Sequence, residues 1–217
     1  GEHLAKNEVM PIRESMAISD FISLIANDLQ AGTDTLRHFK NSFRPGRYKL
    51  EQMDMVDVCK SAVHRAEGKP RFSEHGIKFE LINELPDAER AGKPVAGQYD
   101  CLLSEPVNEV IESILDNAAE AILENKPRNS GLITVMLDVP DPFHVRIRVE
   151  DNGGGIPEEI QHRILEYGFT TKRSRDAGIG LWFCDLYVRQ RGGNLTFTSE
   201  EGRGTLFEIL FPTLLSQ

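Results

Sequence analysis

From Ile18 to Phe43 the apolar residues recur in alternating steps of four and three: Ile18, Ile22, Ile25, Leu29, then Gly32, Leu36, Phe39 and Phe43. That is the spacing of a helix laid along another helix. The preceding segment has a seam of its own, Ala5, Val9, Ile12 and Met16, in a different phase. Two readings fit: a short helix, a turn near Ser15 to Asp20 and a long helix, or one helix running through both. Either way the seam must be buried, by the rest of the chain or by a second copy, and a homodimer through residues 18–43 is expected. Arg44-Pro45-Gly46-Arg47 ends the pattern, because proline and glycine break a helix. This gives a helical dimerisation region over 1–46 and a second domain over 47–217.

Beyond residue 47 the periodicity changes. Met53 to Arg65 reads as a helix with Met53, Val56, Cys59 and Val63 toward one side. Strands are expected over Ile77 to Ile82, Leu132 to Val139, Val145 to Glu150, Asn194 to Ser199 and Thr205 to Phe211, where alternation suits a sheet with one covered face. Helices are expected over 105–124, about 157–166 and 180–191, and Pro86 to Cys101 reads as a loop. The elements interleave without a regular βαβ period, so the fold class is α+β, an α/β sandwich rather than a doubly wound sheet.

Composition excludes several functions. The 217 residues carry 25 Lys and Arg against 34 Asp and Glu, a net charge of −9, which disfavours a dominant nucleic-acid or anionic-membrane surface. No apolar run reaches the ~18–20 residues of a membrane span. The three cysteines, Cys59, Cys101 and Cys184, lack paired spacing and read as reduced thiols of a cytoplasmic protein. The chain begins with Gly1, and is expected to be the cytoplasmic part of something longer.

The segment with the most chemistry is Asp151-Asn152-Gly153-Gly154-Gly155-Ile156-Pro157, directly after a strand. Its glycines let the backbone approach a ligand, and an acid at the strand end can accept a hydrogen bond from an amino group such as adenine's. Ala177-Gly178-Ile179-Gly180-Leu181 opens a helix whose free N–H groups suit phosphate. Between them, Tyr167-Gly168-Phe169-Thr170-Thr171-Lys172-Arg173 offers hydroxyls and cations to a polyanion. Gly202-Arg203-Gly204-Thr205 reads as a hairpin turn. Upstream, Val107, Val110, Ile114 and Ala118 form the apolar stripe of the 105–124 helix, with Glu109, Glu112, Asp116 and Glu120 directed away. Asn117 lies at the stripe's border, where its amide oxygen can reach a magnesium ion.

In this order the segments resemble the boxes of the GHKL, or Bergerat-fold, ATPases, which include gyrase, heat-shock chaperones, MutL and the sensor histidine kinases. Leu115-Asp116-Asn117-Ala118 looks like the N-box and Asp151 to Gly155 like the first glycine box. Phe169-Thr170-Thr171-Lys172 looks like the F-box, Gly178-Ile179-Gly180-Leu181 like the second glycine box, and Gly202-Arg203-Gly204-Thr205 like the last. The resemblance covers about 50–217 and is greatest to bacterial histidine kinases. It implies ATP and Mg²⁺ as cofactors. Asn117 would hold the metal and phosphate, and Asp151 the adenine amino group, with Gly153 and Gly155 shaping that wall. Phe169, Thr170, Thr171 and Lys172 would belong to the ATP lid. Gly178, Gly180 and Leu181 would admit the triphosphate, and Thr205 would lie in the adenine-side hydrogen-bond network.

The same resemblance points to a reaction. Hydrolysing members carry a glutamate four residues before the metal asparagine; here that place is Ser113, which argues for phosphoryl transfer rather than dedicated hydrolysis. His3, Lys6, Asn7, Pro11 and Ile12 keep the spacing of a histidine-kinase H-box, making His3 the expected phosphoacceptor, although Leu4 stands where an acidic residue is usual. The expected activity is ATP-dependent autophosphorylation of a histidine, followed by transfer to an aspartate on a response-regulator receiver domain. Two alternatives are a nucleotide-binding dimerisation module without kinase activity and a gyrase- or MutL-like ATPase.

Overall fold

The computed structural model describes residues 50–85, 100–103, 106–125, 131–171 and 178–214. The chain divides into two compact units, Gly1–Tyr48 and Lys49–Gln217, and every described residue belongs to the second. His3, Leu4, the 18–43 seam and Arg44 to Arg47 lie outside the described residues.

Strand β1 (Glu51–Asp54) runs directly into helix α1 (Met55–Glu67), and Asp54 marks the change. Its carboxylate accepts the Val56 and Asp57 N–H groups at 2.7 and 3.3 Å, the standard cap for the orphan donors of a first turn. The expected helix start at Met53 is therefore two residues early: Met53 is in β1, paired with Cys101. The helix ends at Gly68. Pro70 then opens the one-turn α2 (Pro70–Ser73), whose Phe72 is fully buried.

The partner of β1 is β3 (Asp100–Leu103), antiparallel. It ends a stretch expected to be loop, and four residues are too few for alternation to reveal. Helix α3 (Pro106–Asn125) has proline in its first position, where the missing N–H is no loss. Its buried stripe is wider than expected, taking in Ile111, Leu115, Ala119 and Ile122 beside Val107, Val110, Ile114 and Ala118.

The main sheet has five strands in the order β2 (Lys78–Asn83), β4 (Leu132–Asp141), β5 (His144–Asp151), β7 (Gly204–Pro212), β6 (Asn194–Glu200). β2 and β4 are parallel and the remaining pairs antiparallel. Alternation sends Ile133, Val135 and Leu137, Val145, Ile147 and Val149, and Phe207, Ile209 and Phe211 inward, all buried. Against this side lie α1, α3 and α5 (Gly180–Gln190), so the fold is the expected two-layer α/β sandwich. The other face is polar, bound by pairs such as Arg146–Asp138 at 2.7 Å and Arg148–Glu84 at 2.9 Å.

The helix expected over 157–166 shrinks to α4 (Glu158–Gln161). Beyond it the backbone winds through i to i−3 hydrogen bonds, Arg163 to Ile160 and Glu166 to Arg163, and Ile164 is the side chain it buries. One apolar anchor does not hold a longer helix on the core. Cys59, Cys101 and Cys184 are free and buried; desolvation pushes Cys101 and Cys184 up to about 12, so both remain protonated thiols. Among the described residues no helix is long and apolar enough to cross a membrane.

Candidate functional site

Asp151 ends β5 on its inward-facing side and is 5% exposed. Its Oδ1 accepts the Gly153 N–H at 2.8 Å, and the Thr205 backbone N–H also donates to the carboxyl. Burial outweighs these two donors and raises the carboxyl to about 6. A buried carboxylate with two donors keeps acceptor capacity for a third.

Two of the three glycines that follow, Gly153 and Gly155, are required by space. A Cβ on Gly153 would stand 2.8 Å from Asp151 Oδ1 and 2.9 Å from Ala121 of α3. Gly155 has φ +67°, and a side chain there would collide with the Glu200 carbonyl. The β6–β7 turn is thus pressed onto the first glycine box, and the Gly202 N–H donates to Gly154 O at 2.7 Å.

Ser199 ties this corner together. Its Oγ accepts the Ile156 N–H at 2.8 Å, lies 3.1 Å from Gly204 O and meets Thr205 Oγ1 at 3.0 Å. With the Ser199 proton on the Gly204 carbonyl, Thr205 becomes the donor of that last bond. Gln161 Nε2 donates to Ile156 O and Ser199 O at 2.8 and 3.2 Å. Sequence reasoning missed both side chains. Ser199 carried a legible signal, being the polar residue in phase with Leu195 and Phe197.

The other end forms where α3 meets α5. Ser113 and Asn117 lie one turn apart, about 40° from each other around α3. A Cβ on Gly180, the first residue of α5, would stand 2.9 Å from Ser113 Oγ. The Ser113 hydroxyl also hydrogen-bonds the Cys184 sulfur, whose thiol donates to Val110 O at 3.6 Å. The first turn of α5 therefore sits on the Ser113 side of α3, and its N-cap, Ile179, supplies no side-chain hydrogen bond to that turn.

The ends of the segment expected to be the lid are joined by two glycines. The Gly168 N–H donates to Gly178 O at 2.9 Å, and a Cβ on Gly178, at φ +99°, would lie 2.6 Å from the Gly168 carbonyl carbon. Phe169 packs its ring on the Arg163 guanidinium at 4.6 Å, while Thr170 and Thr171 are exposed. Lys172 and Arg173 lie outside the described residues.

The acids of α3 lie off the buried stripe as expected, and the structure adds their partners. Glu112, Asp116 and Glu120 are held by cations from α1, α2 and the connection between them: Arg65 to Glu112, Lys69 to Asp116, and Arg71 to both Asp116 and Glu120. Helical periodicity placed the acids on the polar side but carried no information about the segment that covers them.

Asp151, Gly153, Gly155 and Thr205 thus share one corner. Gly180 joins Ser113 at the α3–α5 junction, and Asn117 lies one turn along α3 from that serine. Gly178 and Phe169 stand at the lid base, and Leu181 follows Gly180 in α5.

Solved structures resemble this architecture. A mycobacterial sensor histidine kinase, MprB, superposes with TM-score 0.59 over 75% of this chain and 98% of that one, at 23% identity. Full-length ShkA in complex with AMPPNP gives 0.61 over 89% of this chain and 36% of that one, at 20% identity. Among curated proteins, the chain is 37% identical over 103 residues to the sensor histidine kinase CitA of Klebsiella pneumoniae, covering 48% of this chain and 18% of the relative. It is 26% identical over 212 residues to the putative sensor histidine kinase NtrY-like of Rickettsia conorii, covering 97% of this chain and 32% of that relative. The chain therefore spans less than a third of these relatives' lengths. Residues 103–215, more than half of the chain, match the model of the histidine kinase-, DNA gyrase B- and HSP90-like ATPases, and the chain belongs to that family.

Proposed function

We propose that this chain is the ATP-binding and phosphotransfer core of a cytoplasmic sensor histidine kinase, with 1–46 as dimerisation and phosphoacceptor region and 47–217 as catalytic domain. The observation that carries the reading is the buried Asp151 carboxyl, walled by Gly153 and Gly155 and backed by Thr205, in a domain whose α5 begins against the Ser113 side of α3. An adenine amino group donates to Asp151, and the phosphates lie toward Gly178, Gly180 and Leu181 at the start of α5. Thr170, Thr171 and Lys172 would belong to the lid over the phosphates.

A magnesium ion, carried mainly by the phosphates and by the Asn117 amide oxygen, would offset their charge; among the described residues no cluster of three or more His, Cys, Asp or Glu forms a separate cage. Ser113 is no base for water, which favours transfer over hydrolysis. The neutral His3 imidazole attacks the γ-phosphorus in line, the bond to the β-phosphate oxygen breaks, ADP leaves, and the imidazole proton goes to solvent. Similarity to the NtrY-like kinase over 97% of the chain supports including the first 46 residues. A second copy, joined through the 18–43 seam, and the receiver domain of a response regulator that takes the phosphoryl group onto aspartate are the proposed partners.

The test is incubation with γ-labelled ATP and Mg²⁺. Acid-labile, base-stable label that is lost in His3→Gln and in Asn117→Ala supports the reading. Label that persists in His3→Gln moves the acceptor elsewhere. ATP binding with no label supports a non-catalytic nucleotide-binding module instead.

A further inference from the structure

Helix α3 carries Asp116 and Glu120 beside Asn117, the residue assigned above to phosphate and metal. Glu120 is about 60° around the helix from Asn117 and Asp116 about 100°, so both flank the place where a polyphosphate would lie. Left uncompensated, this row would repel a triphosphate within a Debye length.

Compensation comes from outside the helix. Arg71 spans both acids, with Nη2 3.1 Å from Asp116 Oδ2 and Nη1 3.2 Å from Glu120 Oε1, and Lys69 Nζ lies 2.6 Å from Asp116 Oδ1. The Arg71 guanidinium rests 4.5 Å above the ring of Phe72, which is fully buried and so fixes α2 on the core. These pairs are half-exposed, and half-exposed ion pairs contribute little to folding. Their field, in contrast, acts on any anion bound at Asn117.

We propose that Arg71, assisted by Lys69, is a positioning residue of the nucleotide site: by neutralising Asp116 and Glu120 it makes this side of α3 tolerant of a polyphosphate. The inference rests on the nucleotide-site reading above. It assigns Arg71 no contact with the ligand, only control of the charge that the ligand meets.

Titration of the whole chain with MgATP and, separately, with adenosine tests it. Arg71→Gln weakens ATP about fivefold at low salt and leaves adenosine within twofold; a unit charge at roughly 8 Å, partly screened, has an effect of this order. Arg71→Lys stays within twofold of wild type for both. Glu120→Gln, which releases Arg71 from one of its acids, tightens ATP several-fold with adenosine unchanged, a gain that structural damage does not produce. The double variant returns toward wild type, and all differences shrink at high salt. Equal losses for ATP and adenosine in Arg71→Gln, or ATP affinity unimproved in Glu120→Gln, overturns the proposal. A wild-type chain that binds neither ligand overturns the nucleotide-site reading itself.

Discussion

The corner proposed for adenine and the junction proposed for phosphate are built on different principles. At the corner, Asp151 and Thr205 are each only 5% exposed, and Ser199 and Gln161 link three segments of backbone. Position is set there by burial and short hydrogen bonds. At the junction the fixed parts are a helix start, a hydroxyl and two lid-base glycines, and the charges nearby sit on half-exposed side chains. A flat aromatic base suits a preformed wall, whereas a triphosphate with bound metal requires charge and mobility. The corner should therefore respond to substitution as a rigid receptor and the junction as an electrostatic one.

The largest effects are expected at Asp151. Its carboxyl titrates near 6 in the folded chain and at about 3.9 when unfolded, so the folded state holds the proton more tightly. The stability this contributes is complete below about pH 4 and is lost as pH rises through 6, a difference of about 3 kcal/mol. Asp151→Asn escapes the loss. Chemical denaturation should find the variant more stable than wild type at pH 7.5 by up to that amount, with the gap closing by pH 4. The same variant should bind adenosine more weakly by about 1–3 kcal/mol, and wild-type affinity should fall as pH drops below 6. A variant less stable than wild type at pH 7.5 would break the picture of a carboxylate held ionised against its burial.

Gly178→Ala sharpens the contrast from the other end. A side chain at φ +99° that also meets the Gly168 carbonyl group strains the lid base by more than ~1 kcal/mol. ATP affinity should drop about tenfold and adenosine affinity hardly at all, by calorimetry. A smaller effect, confined to the corner, is expected for Ser199→Ala. Loss of its bonds to Ile156 and Thr205 should cost about 1 kcal/mol in adenosine binding, with the ratio of ATP to adenosine affinity unchanged.

Much of this was legible in the sequence because the signals were local. Alternation along residues 145–150 and 205–211 found β5 and β7, and Asp151 at the end of the first marked the corner. Gly178 and Gly180 marked the start of α5. What escaped was non-local or too short to show a period. β1 and β3 are four residues each and identify one another only by pairing. Arg71 and Asp116 are far apart in sequence and meet because Phe72 buries. Apolar spacing draws Met53 into the helix, whereas Asp54, a capping residue whose signal that reading leaves unused, places the helix start correctly.

The most direct measurement is a calorimetric comparison of ATP and adenosine on wild type, Asp151→Asn and Asn117→Ala. Asp151→Asn should weaken both ligands by the same factor, whereas Asn117→Ala should weaken MgATP alone and leave adenosine untouched. Equal effects of the two substitutions on both ligands, or adenosine binding indifferent to Asp151→Asn, would contradict the division of the site into a base-binding corner and a phosphate-binding junction.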